Sequence, residues 1–262
     1  MKFDLRPASW GKLAALLLLL VTSPLNAQWT VVSQSKPLPL GSGAWEVVKK
    51  VRGGGSEAEL NLVFFDTDRC VLRVLDQMPK GRSALDRRLS GTRAVAGCNG
   101  GYFTPDFRPL GLMISEGKRS GAYEKSPLLT AVLMVRKSRP LLVWRDEFAD
   151  SKGITDLLQC GPRLVIGSKV VSGFKDSRAR ARTFVLTDTA GHWAIGNCRY
   201  ATLRELSEML STPKVIPEMK VARAANLDGG NSSGLWWRDT NGTEHYDRES
   251  ATVRNFVAVL PR

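Results

Sequence analysis

The sequence predicts an α+β fold, a single domain whose β-sheet is mixed or largely antiparallel and which carries only a few helices. Two observations support this prediction. Short apolar or alternating runs, each bounded by Gly, Asn or Asp turn signals, recur along most of the 262 residues. Only one segment combines helical periodicity with a capping box. No long repeat or low-complexity linker divides the chain, which is long enough to bury a sizeable core.

The N-terminal stretch is typical of an export signal. Three basic residues accompany an apolar run at residues 13–21, which is too short to span a bilayer as a helix, and Ala27 closes a small-residue cleavage site. We therefore expect residues 1–27 to be removed as a signal peptide and the protein to be exported, periplasmic or secreted, from a bacterial host. No further segment is apolar enough to cross a membrane. An uncleaved membrane anchor is the alternative.

The elements that follow are predicted from apolar alternation and turn residues. Residues 28–56 are expected to form an extended N-terminal arm and a first strand at 45–51, ahead of a main domain at 57–262. Further strands are predicted, in order, at residues 57–65, 70–75, 94–98, 110–115, 128–135, 140–144, 154–160, 164–166, 169–171, 183–186, 192–195, 221–227, 235–238 and 253–260.

Local signals also predict hairpins and helices. The predicted hairpins join 57–65 to 70–75, 128–135 to 140–144, 164–166 to 169–171, and 183–186 to 192–195. A short helix is predicted at 83–89 with Ser83 as its cap. A longer amphipathic helix is predicted to begin at the capping box of Thr202 and Glu205 and to end near Pro213.

The composition narrows the class of partner. A formal net charge of +13 favours anionic partners, such as phosphate-bearing substrates or an acidic envelope polymer. Nucleic acid is not expected as a partner, because no nucleic-acid-binding motif is present and the chain is predicted to be exported. No Cys-x-x-Cys pair or histidine spacing predicts a zinc site. The residues imply no cofactor and leave a structural divalent metal open.

The stretch at residues 225–234 is the strongest candidate for a site. A predicted strand ends at Asp228, which could act as an acid, a base or a nucleophile. The loop after it contributes Gly229, Gly230, Asn231 and Ser232. Glycines let the backbone approach a ligand, and successive N–H groups in such a turn can bind an anion. The alternative is a tight hairpin that leads into the strand at 235–238.

A second junction repeats this pattern. The predicted strand at 94–98 is followed by one polar residue and then by two glycines, which have no Cβ atom. The candidate residues at this junction are Asn99, Gly100, Gly101, Tyr102 and Phe103. Another hairpin turn is the alternative here, and the two aromatic residues could simply belong to the core.

Four motifs, in this order, resemble those of the phosphodiester glycosidase family. They are residues 99–103 (Asn-Gly-Gly-Tyr-Phe), 110–118 (Leu-Gly-Leu-Met-Ile-Ser-Glu-Gly-Lys), 161–164 (Gly-Pro-Arg-Leu) and 226–232 (Asn-Leu-Asp-Gly-Gly-Asn-Ser). Arg182 and the helix from Thr202 also fall where the family has an arginine strand and a helix. The resemblance covers about residues 60–260. It departs at Asn231, where the family usually has a third glycine, although asparagine tolerates positive φ better than most residues.

The resemblance implies hydrolysis of the glycosidic bond of a sugar-1-phosphodiester, a small molecule or an envelope glycan, with phosphate as the leaving group. The catalytic residues would be Asp228, Arg182 and Asn99. Asp228 would act at the anomeric carbon, while Arg182, with Arg163 and the two glycine pairs, would bind the phosphate. Contacts to the sugar are assigned to Asn99, Tyr102 and Phe103.

The sequence leaves several alternatives open. No second catalytic carboxylate is identified, because nothing decides between Asp106 and Glu116, so retention or inversion of configuration is undetermined. A non-catalytic envelope protein that binds glycan or anionic polymer could use the same pocket. A phosphodiesterase that cleaves the P–O bond is the second rival. Arg182 could also be a surface arginine within the basic cluster at 178–182.

The cysteines that follow the signal are Cys70, Cys98, Cys160 and Cys198. An even number in an exported chain predicts two disulfides with three possible connectivities, and buried free thiols are the alternative. Cys98 and Cys160 each directly precede one of the candidate loops. If those loops line one pocket, a Cys98–Cys160 disulfide is expected, which leaves Cys70 for Cys198.

Overall fold

The computed structural model describes Met1 and residues 28–78, 80–174 and 178–262. The predicted signal peptide therefore lies outside the described residues except for Met1. The elements of the described residues are β1 Thr30–Gln34, β2 Leu38–Gly41, β3 Ala44–Gly53, β4 Ser56–Asp66, β5 Cys70–Asp76, α1 Leu85–Leu89, β6 Ala96–Asn99, β7 Met113–Ser115, β8 Lys118–Ser120, β9 Ala131–Arg136, β10 Arg139–Trp144, β11 Ile154–Cys160, β12 Arg163–Ile166, β13 Lys169–Val170, β14 Arg180–Thr187, β15 His192–Ala201, α2 Leu203–Ser211, β16 Arg223–Asn226, a 3₁₀ turn Gly230–Ser232, β17 Leu235–Arg238, β18 Glu244–Asp247 and β19 Asn255–Pro261.

The described strands form three sheets. Sheet I has nine strands in the order β1-β3-β4-β15-β14-β16-β12-β13, with β2 also paired to β3. Sheet II has the order β10-β9-β11-β7-β8, and sheet III has the order β18-β17-β6-β19-β5. Every described pair of neighbouring strands is antiparallel. The prediction of a largely antiparallel single domain is thus confirmed, and the fold is mainly β rather than an even mixture of helix and sheet.

The inner faces of the three sheets enclose one apolar cluster, the main core. Sheet I contributes Val63 and Ile195, sheet II contributes Leu133, and sheet III contributes Cys98 and Val257. A second cluster lies on the other face of sheet I, where α2 packs against it through Leu206, Met209 and Leu210. Because both faces of sheet I are covered, its central strands are buried over long continuous runs.

The two helices are short, and local signals specify one of them. Thr202 caps α2: the Glu205 backbone N–H donates to Thr202 Oγ1 at 3.2 Å, and the Thr202 N–H donates to Glu205 Oε2 at 2.8 Å. The predicted capping box is therefore confirmed. Ser83 does not cap α1, which begins at Leu85 after Ala84 without a side-chain cap. Neither helix of the described residues is long and apolar enough to span a membrane.

Three hairpins are confirmed and one is wrong. The β9–β10, β12–β13 and β14–β15 pairs form as expected. By contrast, β4 and β5, predicted to pair across the turn at 66–68, belong to different sheets: β4 lies between β3 and β15 in sheet I, whereas β5 pairs with β19 in sheet III. The turn residues do reverse the chain, but the choice of partner strand depends on distant segments.

The segment expected to be an extended arm is integrated into sheet I. Strands β1 and β2 pair with opposite ends of β3, and Trp29 is 2% exposed and packs in the cluster under α2. Its indole N–H donates to Glu208 Oε2 at 3.1 Å. The prolines of this segment, Pro37 and Pro39, are compatible with β-structure because β2 lies at a sheet edge.

The predicted disulfides are not formed, since all four cysteines are buried free thiols. Cys98 and Cys160 both face the main core, but they belong to strands of sheets III and II. Cys70 also lies in the main core, whereas Cys198 packs on the opposite face of sheet I, so the sheet separates that pair. Burial raises the pKa of the Cys70 thiol to about 11 and those of Cys160 and Cys198 to about 12.

Candidate active site

The two Gly-Gly junctions meet where β6 and β16 end. The Asp228 N–H donates to the Gly100 carbonyl at 2.9 Å, and Asn99 Nδ2 donates to the Asp228 carbonyl at 2.8 Å. Neither junction is a hairpin: β16 lies in sheet I and β17 in sheet III, while β6 lies in sheet III and β7 in sheet II. The hairpin alternatives are therefore wrong, because at each junction the chain passes from one sheet to another.

Asn99 joins the segments that carry the site. Its side chain is 1% exposed, and Oδ1 accepts hydrogen bonds from Thr183 Oγ1 at 2.6 Å and from the Gly234 N–H at 3.1 Å. Together with the bond to the Asp228 carbonyl, these contacts link β6, β14 and both ends of the loop after β16. The amide of Asn99 therefore fixes the position of the Asp228 backbone.

The first glycine pair allows close packing against protein. A Cβ on Gly100 would lie 2.0 Å from Asn255 Oδ1, and one on Gly101 would lie 3.0 Å from Leu158 Cδ1. The N–H groups of this pair are also used within the protein, since Gly100 N–H donates to the Asn255 carbonyl and Gly101 N–H to Asn255 Oδ1. Glycine is required here because β19 approaches the loop so closely.

The carboxyl group of Asp228 is partly buried at the head of the second loop. Its Oδ1 accepts the Gly229 N–H at 2.9 Å, and the Ser232 hydroxyl also hydrogen-bonds to it. Burial raises the pKa of Asp228 above its usual range, and these two hydrogen bonds offset only part of that effect. The carboxyl group is thus easier to protonate than an exposed aspartate.

Arg182 lies beside this loop and is 8% exposed. Its Nε donates to the Ala201 carbonyl at 3.0 Å, and a terminal nitrogen donates to the Arg178 carbonyl at 3.2 Å. A Cβ on Gly229 would lie 2.9 Å from the Ala181 carbonyl, so the absence of a side chain lets the loop pack on the strand directly beside Arg182. Burial lowers the pKa of Arg182, although the guanidinium stays charged at neutral pH. The surface-arginine alternative is therefore wrong.

Tyr102 connects the site to a third loop. Its hydroxyl donates to the Gly161 carbonyl at 2.7 Å and accepts from Asn226 Nδ2 at 2.9 Å. The Gly161–Pro162 peptide bond is cis, and the Asn226 backbone pairs with both of these residues. Burial raises the pKa of the Tyr102 phenol, and the nearby Asp228 carboxylate raises it further. The three loops are thus joined into one assembly.

Asn231, Gly230 and Ser232 complete the second loop. Gly230 has φ +63°, whereas Asn231 does not adopt positive φ, so the backbone does not require a third glycine at that position. The exposed Asn231 accepts backbone hydrogen bonds from Ser250 and Ala251 at 2.8 and 2.9 Å. These bonds fasten the loop to the segment before β19.

Two residues assigned to the substrate make their contacts elsewhere. The Arg163 guanidinium lies 5.6 Å from the centre of the Trp144 ring and 3.3 Å from Asp146 Oδ1. Phe103 packs edge-to-face on Phe107 with ring centres 5.5 Å apart. The side chains of Arg163 and Phe103 thus contact aromatic and acidic residues of the described chain rather than Arg182 or Asp228.

Among the described residues, no hydrogen bond or ion pair joins Asp106, Glu116 or either histidine to the Asn99 and Asp228 loops. Glu116 is in a tight turn with φ +50°, and Asp106 is exposed in the loop before Phe107. His192 pairs with Asp188, and His245 stacks on Trp237. No cluster of three or more His, Cys, Asp or Glu side chains suited to a metal ion occurs in the described residues.

A cleft of about 1040 Å³ lies at the far ends of β14 and β16, where it is lined by Thr187 and Arg223 rather than by the Asp228 loop.

Sequence reasoning gave no individual role to three asparagine and threonine side chains that build the site. In the strand predicted to end at Asp228, Asn226 lies two residues earlier, a period-two signal that could have identified it, although β16 ends at Asn226. Thr183 and Asn255 gave no local signal, because their roles depend on contacts with Asn99 and Gly101 across long sequence separations.

The fold and the site define a mainly antiparallel β protein that places a carboxyl group, on a loop between two sheets, and a guanidinium, on strand β14, around the phenol of Tyr102. A model of the phosphodiester glycosidase family matches residues 92–260. The chain therefore belongs to the phosphodiester glycosidase family, whose activity is that of a glycosidase hydrolase. No curated protein matches the sequence.

Solved structures share the fold. The catalytic domain of zebrafish N-acetylglucosamine-1-phosphodiester alpha-N-acetylglucosaminidase superposes with a TM-score of 0.63 at 17% identity, covering 88% of this chain and 89% of that one. A hypothetical protein from Synechocystis superposes with a TM-score of 0.57 at 16% identity, covering 84% of this chain and 62% of that one. A Burkholderia pseudomallei K96243 protein whose name describes it as exported superposes with a TM-score of 0.52 at 11% identity, covering 80% of this chain and 77% of that one.

Proposed function

We propose that the protein hydrolyses the glycosidic bond of a sugar-1-phosphodiester and releases the free sugar and a phosphate monoester. The observation that carries this proposal is that a partly buried carboxyl group, Asp228, and the buried guanidinium of Arg182 both lie close enough to Tyr102 to shift the pKa of its phenol, while Gly229 packs on the strand beside Arg182. Such a pair matches the two ends of the scissile bond, an electrophilic anomeric carbon and a departing phosphate.

Arg182 binds the phosphate in this proposal. Its guanidinium is held by the carbonyls of Ala201 and Arg178, so little conformational freedom is lost when an anion binds. In a partly dehydrated site the charge interacts more strongly with phosphate than it would in water. As the glycosidic bond breaks, negative charge grows on the bridging oxygen, and the guanidinium stabilises that charge.

Asp228 acts at the anomeric carbon. A phosphate monoester leaves readily, so the main requirement is a group that stabilises the oxocarbenium-like carbon or that delivers water to it. The hydrogen bond from Gly229 and that from Ser232 hold the carboxylate in one orientation. Asn99 and Tyr102 are positioning residues in this mechanism: Asn99 fixes the Asp228 backbone, and Tyr102 fixes the loop after Cys160.

Hydrolysis in oxygen-18 water tests the proposal. We expect the label in the free sugar and none in the phosphate, because water adds to the anomeric carbon. Label in the phosphate would instead assign the chain as a phosphodiesterase that cleaves the P–O bond. Binding of sugar phosphodiesters without any turnover would assign it as an envelope binding protein.

We also propose that the reaction takes place outside the cytoplasm, after cleavage behind Ala27. Support comes from the short apolar run at residues 13–21 and from the fold shared with a protein named as exported. Intact-mass measurement of the protein from the culture medium or periplasm should give a chain that begins at Gln28. Retention of Met1, or recovery only with membranes, would contradict this proposal.

A further inference from the structure

A β-bulge interrupts sheet I beside Arg182. Arg180 pairs with Ala201 and Arg182 pairs with Cys198, so one residue of β14, Ala181, faces two residues of β15. Those two residues, Arg199 and Tyr200, are both exposed, although the six residues before them are all buried. Bulges of this kind redirect side chains and are over-represented next to active sites.

The bulge adjoins the candidate active site on two sides. Tyr200 is followed by Ala201, whose carbonyl accepts the hydrogen bond from Arg182 Nε. On the opposite strand, a Cβ on Gly229 would lie 2.9 Å from the Ala181 carbonyl, so the loop that carries Asp228 packs on the bulge. The bulge therefore adjoins both the guanidinium of Arg182 and the loop that carries Asp228, through the backbone of Ala201 and Ala181.

Tyr200 is an unusual surface residue in this protein. It is 66% exposed and is the only aromatic residue among the large exposed hydrophobic residues of the described chain. Arg199 links the bulge to β18 of sheet III and to β4 of sheet I, with contacts of 3.5 Å to Asp247 Oδ1 and 3.7 Å to Glu59 Oε1. An exposed ring on a braced strand is a rigid platform that binds an apolar face at little entropic cost.

We propose that Tyr200 binds the leaving-group side of the substrate, by stacking on a carbohydrate ring esterified to the phosphate. This inference rests on the proposed function. The sugar that is released must contact Asp228, and the phosphate must contact Arg182, so the group beyond the phosphate extends past Arg182 toward the exposed bulge. The structure thus assigns Tyr200 to recognition of the leaving group, whereas the chemical step depends on Asp228 and Arg182.

Two substrates that share one sugar-1-phosphate test this role. One carries a methyl group and the other a hexosyl group on the phosphate. Tyr200→Ala should lower kcat/KM for the hexosyl substrate about five- to fiftyfold through KM and leave the methyl substrate unchanged, as expected for the loss of one stacking contact. Tyr200→Phe should retain both rates. Val32→Ala, which alters an exposed residue of β1, is the matched surface control.

The outcomes separate the two proposals. Equal losses on both substrates, or no loss on either, would overturn the role of Tyr200. If the unmodified protein hydrolyses neither substrate, the proposed function fails, and the stacking role is tested by binding of glucose 6-phosphate in an NMR titration. At least fivefold weaker binding by Tyr200→Ala, with inorganic phosphate binding unchanged, would support stacking, and equal affinities would refute it.

Discussion

At the scale of single residues, the protonation of Asp228 is governed by two opposing effects. Burial favours the neutral acid, while the hydrogen bonds from Gly229 and Ser232 favour the carboxylate, and burial is the larger effect. The folded chain therefore binds this proton more tightly than the unfolded chain does. The free energy of unfolding rises as pH falls through the raised pKa of Asp228, so the ionised group weakens the fold at neutral pH.

Asp228→Asn should abolish turnover, spare ligand binding and raise Tm at pH 7. The amide oxygen can still accept the Gly229 N–H, while the cost of burying a negative charge disappears. Steady-state assays, calorimetric titration with substrate and thermal melts between pH 7 and pH 4 measure these effects, and the gain in Tm should shrink as pH falls. Residual activity within tenfold of the unmodified protein, or a lower Tm at pH 7, would contradict the assignment.

Arg182→Lys should lower kcat/KM roughly ten- to a thousandfold, about 1.4–4 kcal/mol in the barrier. A lysine retains the charge, but it cannot reproduce the planar guanidinium that contacts Ala201 and Arg178 and would face the phosphate. If the arginine stabilises leaving-group charge, the loss should be smaller for substrates whose departing phosphate ester is less basic.

The neighbouring Arg180 provides the control for this substitution. Arg180 is exposed on the same strand, so Arg180→Lys keeps a solvated charge and should leave kcat/KM unchanged. A folded Arg182→Lys protein with unchanged kcat/KM would remove Arg182 from the site. A uniform loss for all leaving groups would indicate a structural role instead.

At the scale of elements, the site depends on loops that connect different sheets. The loop after β6 passes from sheet III to sheet II, and the loop after β16 passes from sheet I to sheet III. Their glycines serve different purposes. Gly100 and Gly101 allow β19 and β11 to approach, Gly229 allows close contact with the Ala181 carbonyl of β14, and Gly230 supplies positive φ.

Gly100→Ala should destabilise the protein by about 2 kcal/mol or more, because a Cβ would lie 2.0 Å from Asn255 Oδ1 and the loop must shift. For a chain of this size that corresponds to a fall in Tm of about 4–8 °C. Gly91→Ala is the matched control: it has open space around a Cβ and no positive φ, so its Tm should not fall. Similar melting temperatures for the two variants would refute the packing argument.

At the scale of the whole molecule, three sheets share one main core, and the strands before the family match belong to it. Strand β4 lies inside sheet I and β5 closes one edge of sheet III, although both precede residue 92. All four cysteines are buried among these layers, where the pKa of each thiol is raised and its reactivity is low.

The purified protein should therefore carry four free thiols. In the native state iodoacetamide should label none of them rapidly, because each thiol is buried and protonated. After denaturation without reductant, mass spectrometry should find all four alkylated. Alkylation of only two cysteines, or of none, would restore one or both of the disulfides predicted from the sequence.

The sequence by itself determined the local structure. It gave the bounds of β11 and β17 and the capping box of α2, because strand alternation and helix caps depend on neighbouring residues. It also singled out the Asp228 and Asn99 loops, since a polar residue before two glycines is a local pattern. Tertiary structure decided which sheet each strand joined, that Arg182 is buried while Arg163 contacts Trp144, and that the cysteines stay reduced. These properties depend on contacts between residues far apart in the chain, such as Asn99 with Thr183, which no local pattern encodes.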